Sequence, residues 1–237
     1  MKAMILAAGE GTRLRPLTNM IPKPMLPVGG KPLLEHTICW LRTHGIEQVA
    51  INLHHGPWLT QAYLGDGSAW GVRITYSLED RLLGTAGAVK KLQSYFDDTF
   101  VVVYGDVLTN MDLTTLVSFH QAKGGGATIA LYRVENPSAC GLIELDGEGK
   151  LLRFVEKPPP EDVFTDLAST GVFVMEPRVL DRIPVDTFYD FGHHLFPALL
   201  TEGVPLYGYP TDTYLVDIGT MEKYRQAQLD VREGCLR

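Results

Sequence analysis

Cysteine is scarce in this chain: 237 residues hold three, Cys39, Cys140 and Cys235. An odd count without C-x-x-C or zinc-type spacing excludes a disulfide framework and a structural zinc site, and points to a reducing, cytoplasmic setting. Long apolar runs are absent too. No stretch approaches the roughly 18 apolar residues of a membrane span, and the run Ala3–Ala8 stops at Gly9, too early for the core of a secretion signal. Positive charge is in deficit, with 21 Lys and Arg against 28 Asp and Glu, a formal net charge of −7. Binding to nucleic acid or to an anionic membrane by bulk electrostatics is thereby excluded. Repeats, linkers and low-complexity tracts are missing as well. The chain is therefore expected to be a single domain, 1–237, with no hexapeptide β-helix at its C-terminal end.

What is present is enough apolar surface for a full core, with 45% hydrophobic and 21% charged residues. Short runs rich in Val, Ile, Thr and Tyr read as strands: "AMILAA" (3–8), "QVAINL" (48–53), "VRITYS" (72–77), "TFVVVYG" (99–105) and "GATIALYRV" (126–134). Between them, 32–44, 57–64, 85–96 and 112–122 have helical spacing, with Pro32 suited to a helix start and Asp112 to an N-cap. This alternation predicts an α/β fold, a Rossmann-like doubly wound sheet that is mixed but mostly parallel. The second half is richer in strand. "GLIELD" and "KLLRFVE" flank a "GEG" turn, and "STGVFVME" follows the breaker run "EKPPPED", together predicting a β-rich flap. A helix over 190–201, strands near 205–209 and 213–218, and a last helix from Met221 to about Arg232 complete the expectation.

The positive charge is local. Residues 1–34 hold Lys2, Arg13, Arg15, Lys23 and Lys31 against Glu10 alone, net +4, which leaves about −11 for the rest of the −7 chain. These cations surround "GEGTRL", where Gly9 and Gly11 allow close approach of a ligand to the backbone just past a strand. Leu14 stands where a dinucleotide fingerprint needs Gly or Ala, and "GGKP" at 29–32 lacks the hydroxyl residue that a P-loop places after its lysine. A dehydrogenase and a P-loop kinase or GTPase are therefore disfavoured. Two readings remain: a glycine turn with solvated arginines, or a loop whose N–H groups and Arg13 hold phosphate oxygens.

"LAAGEGTRLRPLT" followed by "PKPMLPVGGKP" resembles the signature of the sugar-1-phosphate nucleotidylyltransferases, or nucleotide-sugar pyrophosphorylases. Further matches recur in order: "LGTAGAV" (83–89), "VVYGDVL" (102–108), "GLIELD" (141–146), "FVEKP" (154–158), "STGVFVMEP" (169–177) and "VDIGT" (216–220). The resemblance implies a Mg²⁺-dependent reaction in which a sugar 1-phosphate attacks the α-phosphorus of an NTP and pyrophosphate leaves. Two polyanions must then be neutralised by arginine, lysine and metal. By resemblance Arg13 grips the triphosphate, Lys23 reaches the reacting phosphates, and Asp106 and Asp217 hold the metal. Leu6, Ala8, Gly9, Gly11, Thr12, Gly84 and Thr85 join Arg13, Lys23 and Asp106 on the nucleotide. Gly141, Glu156, Lys157, Thr170 and Asp217 fall on the sugar phosphate. Residues 1–134 would mainly serve the nucleotide and 135–237 the sugar phosphate. No covalent intermediate is expected, because the attacking phosphate oxygen is already anionic.

The chain departs from the family pattern in three places. Tyr214 replaces a tryptophan before "VDIGT", Met221 replaces a proline after it, and Ser169, Thr170 and Gly171 stand where many members have Asn-Ala-Gly. His54, His55, His193 and His194 read as ordinary residues rather than metal ligands. The expected partners are the NTP and the sugar 1-phosphate, without nucleic acid or membrane, and a homodimer is allowed. "LGTAGAV" is most similar to the mannose-1-phosphate guanylyltransferases, which bind GTP and make GDP-mannose. Thymidylyl or uridylyl transfer to glucose 1-phosphate, and transfer to heptose or N-acetylmuramate 1-phosphate, are the alternatives. A binding protein without catalysis is the rival of another class, and it would be expected to have lost Arg13, Lys23, Asp106 or Asp217, all of which are present.

Overall fold

The computed structural model describes residues 1–236. In chain order its elements are β1 (Lys2–Leu6), β2 (Pro27–Val28), β3 (Lys31–Pro32), α1 (Leu33–Thr43), β4 (Gln48–Leu53), α2 (Pro57–Leu64), β5 (Arg73–Leu78), α3 (Gly84–Lys91) and β6 (Phe100–Tyr104). There follow β7 (Val107–Thr109), α4 (Leu113–Lys123), β8 (Ala127–Arg133), β9 (Gly141–Leu145), β10 (Leu151–Glu156), β11 (Leu167–Met175), α5 (Phe196–Thr201), β12 (Leu206–Pro210), β13 (Leu215–Asp217) and α6 (Met221–Glu233). They form two compact units, each discontinuous in sequence. The first comprises Met1–Leu82, Val103–Asp112 and Thr213–Arg237, and the second Leu83–Val102 and Leu113–Asp212.

In the first unit β1, β4 and β5 run parallel, with Leu6 opposite Asn52 and Asn52 opposite Ser77. Ala3, Met4, Ile5, Val49, Ala50 and Ile51 are fully buried, as strands covered on both faces require. A second set of contacts builds the floor of the glycine loop. Leu14, Leu26, Val28, Leu33, Leu108, Ile218 and Ala227 form one apolar cluster, flanked by Tyr214, Met221 and Tyr224. Burying Leu14 alone contributes about 1.5–3 kcal/mol. Its place in this cluster explains why the position carries leucine and not the small residue of a dinucleotide fingerprint. The short β2–β3 ribbon is fastened to α6 through Tyr224 Oη, which donates to Pro27 O at 2.7 Å, and through Gly29 N, which donates to Gln228 Oε1 at 2.9 Å.

In the second unit β9 pairs antiparallel with β10 and β11, β11 pairs antiparallel with β8, and β8 pairs parallel with β12. The register of β8 and β11 breaks between Ser169 and Phe173. Phe173, Phe191 and Phe196 close the core as mutually packed rings, with centroids 5.2–5.5 Å apart. The expected α/β class is what is found: β1, β4 and β5 are parallel in the first unit, which also holds two short antiparallel ribbons, and the pairing in the second is mixed.

Two local expectations are corrected and a third feature is new. The helix expected over 85–96 ends at Lys91, and a 3-10 turn at Gln93–Tyr95 continues the chain. Leu92 leaves helical geometry (φ −105°, ψ 23°), which lets Phe96 stack on Phe100 at 4.2 Å. The helix expected over 190–201 opens with a π turn, Phe191–Leu195, before α5. Pro197 has no N–H to continue an α register through this turn. The third is an addition, the ribbon of β7 and β13 described below. Met221 preserves the start of α6 without proline, because the Thr220 hydroxyl accepts from Lys223 N and caps it. The three cysteines are free, and among the described residues no helix is long and apolar enough to cross a membrane.

Candidate active site

The glycine loop, Arg13, Lys23, Asp106 and Asp217 all lie within the first unit. β1 ends at Leu6, and the chain turns through Ala7, Ala8 and Gly9 to Gly11, which has φ +63°. A Cβ on Gly11 would meet Lys23 Cβ and Thr18 Cγ2 at 3.0 Å, so glycine here brings the loop down onto the lysine. Thr18 Oγ1 donates to Gly11 O at 2.8 Å and fixes that approach. Thr12 and Arg13 form the following 3-10 turn, with Leu14 anchored in the core and Arg13 exposed. Lys23 sits between Pro22 and Pro24 in its own 3-10 turn and is only 8% exposed. The prolines restrict the segment, so little freedom is lost when the ammonium is placed.

Two carboxylates receive that ammonium. Lys23 Nζ is in contact with Asp106 Oδ2 and lies 3.9 Å from Asp217 Oδ1. A ribbon makes the aspartates neighbours: β7 and β13 are antiparallel with Val107 opposite Asp217, and Ile218 N donates to Asp106 O at 2.9 Å. Lys223, from the first turn of α6, reaches within 3.8 Å of Asp217 Oδ2. Gly219 completes the group, for a Cβ there would lie 3.2 Å from Arg13 Nη2 and 3.1 Å from Asp217 Oδ2. Burial, followed by the charge of Asp106, pushes the Asp217 carboxyl above the usual aspartate range, against the pull of Lys23, Lys223 and Arg13. Asp217 Oδ1 is buried and has no hydrogen-bond partner.

This donor set fits a magnesium ion. Mg²⁺ takes one or two carboxylates and completes its shell with water and substrate phosphate oxygens, and an orphaned carboxylate oxygen beside a second carboxylate offers that. Among the described residues no group of three or more His, Cys, Asp and Glu could form a closed metal cage.

The main chain entering the loop is held by a buried relay. Ala7 N donates to Asn52 Oδ1 at 2.8 Å, and Asn52 Nδ2 donates to Glu79 Oε1 at 2.8 Å. Asn52 and Glu79 are 3% and 5% exposed. A backbone N–H can only donate, so Asn52 must present oxygen to Ala7 and its NH₂ to the carboxylate. Gly105 N donates to Leu6 O at 2.8 Å on the other side.

The remaining predicted residues gather in the second unit. Glu156 ends β10 directly opposite Gly141, the first residue of β9. Its carboxylate fits between two glycines: a Cβ on Gly141 would lie 2.6 Å from Glu156 Oε2, and one on Gly192 would lie 2.4 Å from it. Burial, chiefly, raises the Glu156 carboxyl above the ordinary range, opposed by Lys157 and reinforced by Asp190. Lys157 follows with φ +47°, a left-handed conformation that costs a non-glycine residue about 1–3 kcal/mol. Its ammonium is 3.6 Å from Glu156 Oε1 and its side chain 60% exposed. Thr170 faces inward, donating from Oγ1 to Ala130 O at 2.9 Å and accepting from Val172 N. Gly84 and Thr85 open α3, where Ala86 N and Gly87 N both donate to Tyr189 O at 2.9 Å. His193 and His194 lie in the π turn, and His194 Nδ1 accepts from Asp190 N.

Sequence reasoning missed Gly219, Lys223, Asn52, Glu79, Asp190 and Gly192. Gly219 lies inside "VDIGT", and Asn52 and Glu79 left a trace as polar residues at the ends of apolar strands. The others depend on which segments meet.

The class is thus an α/β protein with a glycine loop beyond a parallel strand and a buried lysine between two strand-end carboxylates. Residues 2–234 match the family model described as nucleotidyl transferase, and the chain belongs to that family. It is 44% identical over 241 residues to a UTP–glucose-1-phosphate uridylyltransferase of Synechocystis sp., covering 96% of this chain and 62% of the relative. It is 39% identical over 234 residues to a mannose-1-phosphate guanylyltransferase of Mycobacterium tuberculosis, covering 98% and 65%. The chain thus spans just under two thirds of these curated relatives. Among solved structures, a putative glucose-1-phosphate thymidylyltransferase from Bacillus anthracis in complex with a sucrose has TM-score 0.89 and 26% identity, covering 98% of this chain and 96% of that one.

Proposed function

We propose that this chain transfers a nucleotidyl group from an NTP to a sugar 1-phosphate, forming an NDP-sugar and pyrophosphate. One observation carries the reading: the Lys23 ammonium is buried between Asp106 and Asp217 beside the glycine loop and Arg13. An oxygen of the sugar phosphate bonds to the α-phosphorus as the bond from that phosphorus to the β-phosphate bridge breaks. Pyrophosphate departs with the electron pair. Loop N–H groups and Arg13 bind the triphosphate, and Lys23 neutralises charge at the α-phosphate. Asp106 and Asp217 would hold Mg²⁺, which supplies charge neutralisation and templating of the phosphates. Glu156, aimed by Gly141 and Gly192, accepts hydrogen bonds from sugar hydroxyls, while Lys157 meets the sugar phosphate. No residue serves as a nucleophile.

The preferred substrates are GTP and mannose 1-phosphate, giving GDP-mannose, supported by "LGTAGAV" and by the mycobacterial relative. UTP with glucose 1-phosphate is the second reading, favoured by the more identical Synechocystis relative. A pyrophosphate-release matrix of nucleotides against sugar 1-phosphates decides between them. Turnover is expected in one column with Mg²⁺ and none with EDTA; activity that persists in EDTA overturns the metal assignment, and no turnover of any pair overturns the function.

A further inference from the structure

A strap of the second unit, residues 187–192, is stitched along the segment Leu83–Gly87. Tyr189 N donates to Leu83 O at 2.9 Å, and Tyr189 O accepts from Ala86 N and Gly87 N. The two glycines of "LGTAG" exist for this contact: a Cβ on Gly84 would meet Tyr189 O at 2.6 Å, and one on Gly87 would meet Thr187 O at 2.6 Å. Thr85 then joins by its side chain, donating from Oγ1 to Asp190 Oδ2 at 2.7 Å and accepting from Phe191 N at 2.9 Å.

The other oxygen of Asp190 works in the opposite direction. Asp190 Oδ1 accepts from Gly192 N at 2.8 Å and His193 N at 3.1 Å, which fixes the π turn. Gly192 is the residue that leaves no room beside the Glu156 carboxylate, at 2.4 Å for a hypothetical Cβ. One carboxylate therefore ties the segment assigned to the nucleotide to the wall against which the sugar-binding carboxylate rests. π turns inserted in helices recur at functional sites, where they re-aim a short stretch of backbone.

We infer that Asp190 is a positioning residue serving both substrates at once, holding Thr85 for the nucleotide and the Gly192 wall of Glu156 for the sugar. This rests on the function proposed above. The Thr85 hydroxyl is the connecting atom, because it is the only side chain among these contacts that bonds both Asp190 and the strap backbone at Phe191.

The test is steady-state kinetics of the full chain with whichever pair the wild type turns over, GTP with mannose 1-phosphate or UTP with glucose 1-phosphate. Asp190→Ala is expected to raise both KM values at least tenfold. Asp190→Asn is expected to stay within about threefold, since its amide oxygen keeps the two N–H groups and Thr85 Oγ1 can accept from its NH₂. Thr85→Val should raise the KM for the sugar phosphate three- to tenfold, although Thr85 belongs to the nucleotide segment, and Thr85→Ser should restore it. Asp190→Ala with both KM values within twofold of wild type and a lowered Tm would show a structural role only. If that variant does not fold, an unchanged sugar-phosphate KM in Thr85→Val overturns the coupling by itself. A wild type that turns over no pair removes the function and this inference together; an active wild type with insensitive variants removes the inference alone.

Discussion

Lys23 Nζ touches Asp106 Oδ2 and stands 3.9 Å from Asp217 Oδ1, so one cation spans both carboxylates. Lys23→Met removes the cation and keeps the apolar stem. Turnover is expected to fall by about 10²–10³, the loss seen when one preorganised charge-stabilising donor is deleted. The variant's Tm, lower than wild type in EDTA, should recover part of the difference on adding Mg²⁺. A Tm indifferent to Mg²⁺ in wild type and variant alike would remove the aspartates from the metal site.

The Asn52–Glu79 relay makes a prediction about polarity. Asn52→Asp sets a carboxylate against Glu79, and should raise the KM for the nucleotide by tenfold or more with little change for the sugar phosphate. Adding Glu79→Gln should reverse most of that, because the glutamine NH₂ then donates to the new carboxylate while Ala7 N keeps its acceptor. Glu79→Ala leaves the Asn52 NH₂ buried without a partner, at a cost of about 1–3 kcal/mol measured by urea unfolding. A double variant no better than Asn52→Asp would show that the relay does not set the loop.

Glu156 supplies a pH signature. Its carboxyl is raised, chiefly by burial, so the folded chain holds this proton more tightly than the unfolded chain does. The associated stability is present at pH values below the unfolded pKa and is lost as pH rises through the folded one. Charged Glu156 therefore weakens the fold at pH 8. Glu156→Gln should have a higher Tm than wild type at pH 8, a difference that shrinks as the pH approaches 4, together with a raised KM for the sugar phosphate. A lower Tm at pH 8 would contradict the assignment of burial as the dominant cause.

Gly84→Ala meets both a left-handed backbone, φ +74°, and the Tyr189 carbonyl at 2.6 Å. The conformation alone costs about 1–3 kcal/mol, and the clash adds to it, so a fall in Tm is expected with the nucleotide KM raised. Gly45→Ala is the control, with φ +76° but nothing within 4 Å of the added Cβ. Equal effects of the two substitutions would mean that the strap gives way.

Much of this architecture was legible in the sequence because it is local. β1, β4, β5 and β6 announce themselves as apolar runs, and the charges of Arg13 and Lys23 mark the loop that follows β1. The strand read from "TFVVVYG" ends just before Asp106, as it does in the structure. The ribbon joining Asp106 to Asp217 was not legible, since β7 and β13 are three residues each and too short to show a period. Nor was the role of Gly192, whose neighbour Glu156 lies far back along the chain and whose π turn precedes Pro197. From "LGTAG" the resemblance implied a nucleotide contact at Gly84 and no partner segment. The partners of Gly84 and Gly87 are backbone carbonyls of Tyr189 and Thr187 in the strap, about a hundred positions further along.

The first unit is assembled from three separate segments, and its site draws one residue or more from each: Arg13 and Lys23, then Asp106, then Asp217. During synthesis Asp217 follows Asp106 by 111 positions, a delay of roughly 6–22 s at ordinary elongation rates. Throughout that interval the nascent chain carries the loop, the lysine and one carboxylate, but not the second. On the function proposed above, a product of translation stopped between residues 106 and 217 would carry one carboxylate of the proposed metal site without the other, so turnover would report that the third segment of the unit has been made and docked.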